Sequence, residues 1–492
     1  MSLRRTLATG TSALALSVLL AACGSQLDPE TVAAANGSSV NMGAGSVSGE
    51  VLPDGTVVGG DDAGSGGDTT GGSGSGSDAG SGGGGGADAS GGSGGGEGDS
   101  GGDAPKDPTL SDKGIDCSGF KNQTGITDDK IVLSNVSDLS GPVPGIFQAT
   151  SDAVRAFAKY FNAQSDICGR KIEVLALDSR ADAGADQQAY QKACEQSFAA
   201  VGSMSAFDSG GARVAEGCGL PDLRTASVTP ERTACKTCFG TQSAHADYFQ
   251  NSVPDFIKKN YPDGAQKGAY LYLNAGAAAV NGKAQISAMS KRGINYVYTQ
   301  GVDVSEFNYG PYVQQMKDKG VKYVQWLGSY QHGVRLAEAM QQGGFEPDLF
   351  LFDPVAYNQG FVESGKEAVD GVTVFINFVP FEEASKSQEM SLYLSYLRQV
   401  DPNSTPTFFG VYAWSAARLF VTKAVELGGD LNRANMVKQI AGVKSWEGNK
   451  MHAPQYVGPK QLAECWRFMQ LKGGTWTPSF GNTYQCSGTT RA

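Results

Sequence analysis

Between Lys130 and Pro354, short apolar runs alternate with amphipathic stretches, and this rhythm restricts the possible architectures more than any other feature. The run "KIVLSNV" (130–136) reads as a strand. "FQATSDAVRAFAKYFNA" (147–163) reads as a helix that turns Phe157, Tyr160 and Phe161 to a buried side. "KIEVLAL" (171–177) is the next strand, followed by a helix over 185–198, a short strand at 199–202, a helix from Ser209 and a strand over 223–227. The second half repeats the pattern, with "AYLYLNA" (269–275), "INYVYTQ" (294–300), "KYVQWLG" (322–328) and "DLFLFDP" (348–354) separated by helical stretches. "GVTVFINFVP" (371–380) then leads into helices over 388–400 and 408–427, whose Phe408, Phe409, Tyr412, Leu419 and Phe420 are mostly packing residues. Strands joined through helices lie parallel, so the expected fold class is α/β, with sheets covered by helices on both faces. About 370 residues of this kind exceed what one sheet organises, and two Rossmann-like lobes are expected.

The chain opens differently. Arg4 and Arg5 precede an apolar run, Leu14–Leu20, that is too short to span a bilayer. Leu20-Ala21-Ala22-Cys23 resembles the bacterial lipobox, in which a signal peptidase cuts before the cysteine and the thiol receives a diacylglycerol. On that reading residues 1–22 are a lipoprotein signal peptide and Cys23 is lipidated, so the mature chain is anchored to a membrane without spanning it. The simpler reading is an ordinary secretory signal that happens to contain Cys23; the order of basic residues, apolar run, small residues and cysteine favours the lipoprotein. Residues 23–108 follow as a Gly/Ser/Asp linker. Such a composition buries too little apolar surface to offset its ordering entropy, which predicts a disordered spacer spanning roughly 50 Å. Net charge is −11, yet residues 24–108 hold thirteen acids and one lysine, and the signal holds two arginines, leaving 109–492 near neutral at −1. Acidity therefore belongs to the linker, and no basic face argues for nucleic acid.

Nine cysteines leave eight once Cys23 is set aside, an even number that in an exported chain predicts up to four disulfides. Cys168 and Cys194 flank a strand–helix unit and are candidates to pair, and Cys465 and Cys486 are candidates to staple a C-terminal hairpin. Cys117, Cys218, Cys235 and Cys238 remain, with their connectivity open. Cys235-Lys236-Thr237-Cys238 has redox-motif spacing without thioredoxin-like surroundings, so a structural bridge is expected.

"VSDLSGPVPGIFQATSDAVRAFAKYFNAQSDICGRKIEVLALDS" and "YVYTQGVDVSEFNYGPYVQQMKDKGVKYVQWLGSYQHGVRLAEAMQQGG" together resemble the type I periplasmic-binding fold. More narrowly they resemble the branched-chain amino acid (leucine/isoleucine/valine) binding family of ABC-transporter substrate-binding lipoproteins, over roughly residues 125–430. The resemblance implies a module over 109–492 made of two lobes joined by hinge strands. Lobe 1 takes about 125–245 and 380–450, and lobe 2 about 246–379 and 451–486. It implies a ligand held between the lobes, beyond the carboxyl ends of the strands. Ile146 and Phe147 would wall the ligand from the loop after the first strand. Ser205, Ala206 and Phe207 lie before a helix start that suits a polar acceptor, with Asp208 or Ser209 as its cap. Val228 and Thr229 would offer a backbone group and a hydroxyl. Tyr330 matches a cleft tyrosine of the family, and Phe408 completes the set. The position where relatives carry an acid for the ligand's ammonium falls on Val355. Asp353, two residues earlier, either supplies that charge or caps the next turn. Ala277, Ala278 and Ala279 replace an aromatic and are expected to leave room. The ligand expected is a small organic molecule, amino acid-like or a carboxylate or aromatic compound, with leucine-type amino acids disfavoured.

An enzyme is the rival from another class. The module lacks G-x-S-x-G, Walker A and H-E-x-x-H sequences, and His245, His332 and His452 show no metal-ligand spacing. No catalytic residue, metal or cofactor is expected; the partners expected are a small-molecule ligand, the membrane and an ABC permease. The protein is expected to be a monomer on the extracytoplasmic face of the cell membrane, with exposed charges such as Lys317 and Arg335 available to the permease. A ligand sensor without transport is the nearer alternative, and signalling would then need a separate protein.

Overall fold

The computed structural model describes Asp107, Leu110, Ser111 and residues 114–492. The expected signal peptide, Cys23 and the linker as far as residue 106 lie outside the described residues. Asp107 is already held against the module. Its carboxylate pairs with Arg418 at 2.7 Å, and its N–H donates to Gln164 Oε1 at 3.1 Å.

The first half runs β1 (Lys130–Ser137), α1 (Gln148–Gln164), β2 (Lys171–Asp178), α2 (Ala183–Gln196), β3 (Ala199–Val201), α3 (Ala212–Gly217), β4 (Asp222–Ala226), α4 (Pro230–Ala234) and β5 (Cys238–Gln242). Its strands form a parallel sheet in the order β2-β1-β3-β4-β5. β1 is apolar toward both sides because both sides are covered. Ile131 and Leu133 pack with α1, while Val136 packs with α2 and α3. Phe157, Tyr160 and Phe161 are all buried on α1, as their spacing predicts. The chain leaves β1 toward β2 on one side and resumes at β3 on the other, so the loops after β1 and β3 diverge and open a crevice.

The second half runs β6 (Tyr248–Gln250), α5 (Ser252–Asn260), α6 (Pro262–Gln266), β7 (Gly268–Leu273), α7 (Gly276–Lys291), β8 (Tyr296–Val302), α8 (Gly310–Asp318), β9 (Tyr323–Leu327), α9 (Tyr330–Gln342), β10 (Leu349–Phe352), α10 (Gln359–Gly365) and β11 (Thr373–Ile376). The chain then returns to the first sheet with α11 (Gln388–Val400), α12 (Phe408–Leu427) and α13 (Arg433–Ala441). Trp414 of α12 meets Phe157 edge-on at 5.0 Å, and Thr241 donates to the Tyr412 carbonyl at 2.7 Å. Finally β12 (Cys465–Lys472), β13 (Thr475–Pro478) and β14 (Gln485–Cys486) complete the second sheet, and β15 (Thr489–Arg491) pairs with β6. The second sheet has the order β13-β12-β11-β10-β9-β7-β8, parallel from β8 to β11 and antiparallel beyond. The fold is thus α/β with parallel sheets in two lobes.

The chain passes between the sheets after β5, after β11 and before β12, and these passages are tied to one another. Ala463 N–H donates to the Ser243 carbonyl at 3.0 Å, Ala453 N–H to the Asn377 carbonyl at 2.8 Å, and Val379 N–H to the Met451 carbonyl at 2.9 Å. Three hydrogen-bonded passages thus connect the two sheets.

Four disulfides join Cys117–Cys168, Cys194–Cys218, Cys235–Cys238 and Cys465–Cys486. The C-terminal staple and the short bridge agree with expectation, but Cys168 does not pair with Cys194. Cys168 follows Ile167, which packs on the α1 face of the first sheet, whereas Cys194 packs with α2 and Cys218 on the opposite face. The sheet stands between them. Among the described residues no helix is long and apolar enough to cross a membrane.

Candidate functional site

The loops beyond the first sheet are positioned by buried carboxylates. Asp138, at the end of β1, accepts from Ser179 Oγ at 2.6 Å, Ala181 N–H at 2.9 Å and Ala206 N–H at 2.7 Å, joining three loops. Asp208 accepts from Thr229 Oγ1 at 2.6 Å and Val228 N–H at 3.1 Å. Beneath it lies a buried ionic group: Arg232 Nε donates to the Asp208 carbonyl, and its guanidinium reaches Asp222 at 2.6 Å and Asp186 at 3.2 Å. Asp208 is therefore a tie between two cleft loops and not the helix cap expected of it or of Ser209: α3 starts at Ala212, its N-cap is Gly211, and no side chain caps it. Ser205 accepts from Phe207 N–H at 3.1 Å, so the hydroxyls of Ser205 and Thr229 are both engaged within the lobe.

Lobe 2 meets these loops directly. Ala277 N–H, at the start of α7, donates to the Ala206 carbonyl at 2.8 Å, and Asn281 Nδ2 donates to the Val228 carbonyl at 3.0 Å. Of the three alanines expected to leave room, Ala277 stands at this contact, while Ala278 and Ala279 pack against the cores of the module. Gly276 takes φ +49°, and a Cβ on it would stand 2.3 Å from the Ala206 oxygen.

The open part of the cleft is a cavity of about 270 Å³ beside this contact. Lobe 1 contributes Ile146, Gln148 and Asp152, with Phe408 and Phe409 from the start of α12; lobe 2 contributes Tyr330, Gln331, Val355 and Asn358. Thr407 caps α12 by accepting from Gly410 N–H at 3.1 Å, which sets both phenylalanines at the mouth of the lobe. Phe147 stands behind the wall, with its ring 4.9 Å from Phe409 and edge-on to it. Tyr330 lies across Gly360, where a Cβ would come within 2.7 Å of its hydroxyl.

Of the residues expected to bind ligand, Ile146, Tyr330, Val355 and Phe408 line the cavity. Phe147, Ala206 and Val228 share an apolar cluster with Phe409 at the lobe-1 wall, while Ser205, Phe207 and Thr229 sit in the loops near α7. Asp353 lies outside the lining. It is buried, its Oδ1 accepts from Val355 N–H at 3.1 Å, and burial pushes its pKa up to about 8. Of its two expected roles, capping is the one its contacts serve. His332 is buried and partnered, sharing a hydrogen bond with Ser329 Oγ at 2.6 Å and meeting the Val304 carbonyl at 2.8 Å. Sequence reasoning missed Gln148, Asp152, Gln331, Asn358 and Phe409 as lining residues. For the first four the only signal was position in the first turns of helices; Phe409 was legible as Phe408's neighbour.

Residues 130–475 match the family model described as periplasmic binding protein. The chain belongs to that family, whose members are extracytoplasmic solute-binding proteins, and it has the type I periplasmic-binding fold. No curated protein sequence matches it. Among solved structures it is similar to a leucine-binding protein, LivK, from Thermotoga maritima, with 15% identity and a TM-score of 0.62 over 71% of this chain and 97% of that one. It is similar to a fatty acid ABC transporter substrate-binding protein from Thermomonospora curvata, with 14% identity and a TM-score of 0.63 over 75% and 95%. A solute-binding protein from R. palustris in complex with 4-hydroxybenzoate gives 14% and 0.61 over 73% and 98%.

Proposed function

We propose that the protein is a lipid-anchored, extracytoplasmic solute receptor that captures a small organic molecule in the interlobe cavity and delivers it to an ABC permease. The observation that carries this reading is a cavity of about 270 Å³ lined from both lobes, where Ile146, Phe408 and Phe409 on one side and Tyr330 and Val355 on the other stand among polar residues such as Gln148, Gln331 and Asn358. A guest there gains contacts from both walls only when the lobes are closed, so binding shifts the hinge equilibrium toward closure. Cys23 holds the anchor, the linker lets the module reach its permease, and the working form is a monomer. The ligand-binding set is Ile146, Tyr330, Val355 and Phe408 at the cavity, with Phe147, Ser205, Ala206, Phe207, Val228 and Thr229 in the surrounding loops.

The test is a thermal-shift screen of the full chain against small metabolites, followed by small-angle scattering with each hit. A hit that raises the melting temperature and contracts the scattering profile without being consumed supports the reading; a compound turned over to product defeats it. Radioactive fatty acid fed to cells should label the wild-type chain, and equal labelling of Cys23→Ala would remove the anchor.

A further inference from the structure

We infer that the point where the linker meets the module is coupled to the passages between the sheets, from Asp107 through Arg418, Glu389 and Asn449 to a strained turn. In that turn Gly448, Asn449 and Lys450 take φ +53°, +56° and +64°, three consecutive residues in the left-handed region. A Cβ makes this conformation unfavourable, so a run of it persists only where contacts hold it. Gly448 has no substitute there, because a Cβ would stand 2.5 Å from His452 Nε2. Met451 N–H and His452 N–H close the turn by donating to the Glu447 carbonyl at 3.0 and 3.2 Å. The bonds that join two passages come next along the chain. The Met451 carbonyl accepts from Val379 N–H at 2.9 Å, and Ala453 N–H donates to the Asn377 carbonyl at 2.8 Å. The turn therefore sets where the third passage meets the second.

Asn449 fixes the turn to lobe 1. Its Nδ2 donates to Glu389 Oε2 at 3.1 Å, and Glu389 is buried in the first turn of α11. The other oxygen, Glu389 Oε1, accepts from Trp414 Nε1 and from Arg418 Nε at 2.6 Å. Arg418 is also buried, and its Nη2 lies 2.6 Å from Glu389 Oε2 and 2.7 Å from the Asp107 carboxylate.

One nitrogen thus serves two carboxylates, and this sharing is the coupling. While Asp107 draws on Arg418 Nη2, Glu389 Oε2 keeps more of its negative charge for the amide of Asn449, and a charge-assisted bond is the stronger kind. Removing the Asp107 carboxylate frees Nη2 for Glu389 and weakens the hold on Asn449. The turn is then released toward ordinary backbone conformations, and the bonds at Met451 and Ala453 open more often. The coupling is independent of what the cavity binds. With the linker as the tether, as proposed above, a displacement at residue 107 reaches the passages that connect the lobes.

The test is amide hydrogen exchange of the full chain without ligand, read by mass spectrometry at Val379 and Ala453, with β1 as the measure of global opening. Asp107→Ala should speed exchange at both amides by about fivefold and leave β1 unchanged. Asp107→Asn, which keeps an oxygen and loses the charge, should give a smaller increase, and it carries the same comparison should the alanine variant not fold. Asn449→Gly tolerates the left-handed φ and removes the donor, so it should speed the same two amides. Adding Asp107→Ala to it should then change nothing further, because the link is already cut. Rates at Val379 and Ala453 within twofold of wild type in the Asp107 variants would overturn the inference. So would an equal acceleration of β1, which would mark a general loss of stability, or an Asp107 effect that persists in full beside Asn449→Gly. Failure of Cys23 labelling would remove the anchor and leave these rates as expected.

Discussion

Asp353 allows the structure's electrostatics to be tested apart from any ligand. The residue is 8% exposed, and its carboxyl takes one backbone N–H and has its pKa raised from an ordinary 3.8 to about 8 by burial. A carboxyl with a raised folded-state pKa contributes its full share of stability below the unfolded value. It loses that share as pH climbs toward about 8, because the unfolded chain ionises first. Each pH unit inside that window costs about 1.4 kcal/mol. Asp353→Asn keeps an acceptor for Val355 N–H and cannot ionise, so it removes the slope and leaves the cap. The unfolding free energy of the variant minus that of the wild type should therefore rise by about 3 kcal/mol between pH 5 and pH 7. Urea titrations followed by tryptophan fluorescence, without reductant, measure both values at each pH. A difference that stays constant within about 1 kcal/mol would refute the reasoning, because it would mean that the site is wet or that a cation reaches it.

Asp208→Ala strands Val228 N–H and Thr229 Oγ1 and leaves Arg224, 3.8 Å away, short of a counter-charge; chemical denaturation should register a loss of about 3–5 kcal/mol. Asp208→Asn should recover part of it. Replacing Cys117 and Cys168 by serine opens a bridge with a sequence separation of 51 and should cost about 4 kcal/mol, read as a lower denaturation midpoint, whereas the same change at Cys235 and Cys238, separated by 3, should cost far less. Gly360→Val places a side chain against the Tyr330 hydroxyl and should abolish ligand-induced thermal shifts with the ligand-free melting temperature little changed. Asn281→Ala removes the bond to the Val228 carbonyl, and scattering of the ligand-free protein should show a more open profile.

Periodicity and composition carried much of this molecule. The helices over 388–400 and 408–427 match the structure to the residue, and the strand–helix alternation defined the α/β class, because burial on both faces of a parallel strand leaves an uninterrupted apolar run. β5, with the sequence CFGTQ, was not legible, since its strand state comes from pairing with β4 and from burial under α12, not from an apolar run of its own. The site was legible in part. Ile146, Tyr330, Val355 and Phe408 sit at strand ends or helix starts where any such fold must place its cleft. What no local pattern carries is which contacts form across the gap. That Asp208 ties two loops, that Gly276 admits α7 against Ala206, that Cys168 finds Cys117 across no sheet while Cys194 finds Cys218, and that Ile146 and Phe408 face Tyr330 and Val355 across one cavity all depend on which residues distant in the chain are brought together. Sequence determines each element through its own neighbours along the chain; charge balance and space in the cleft are sums over both lobes, and those sums exist only once the chain has folded.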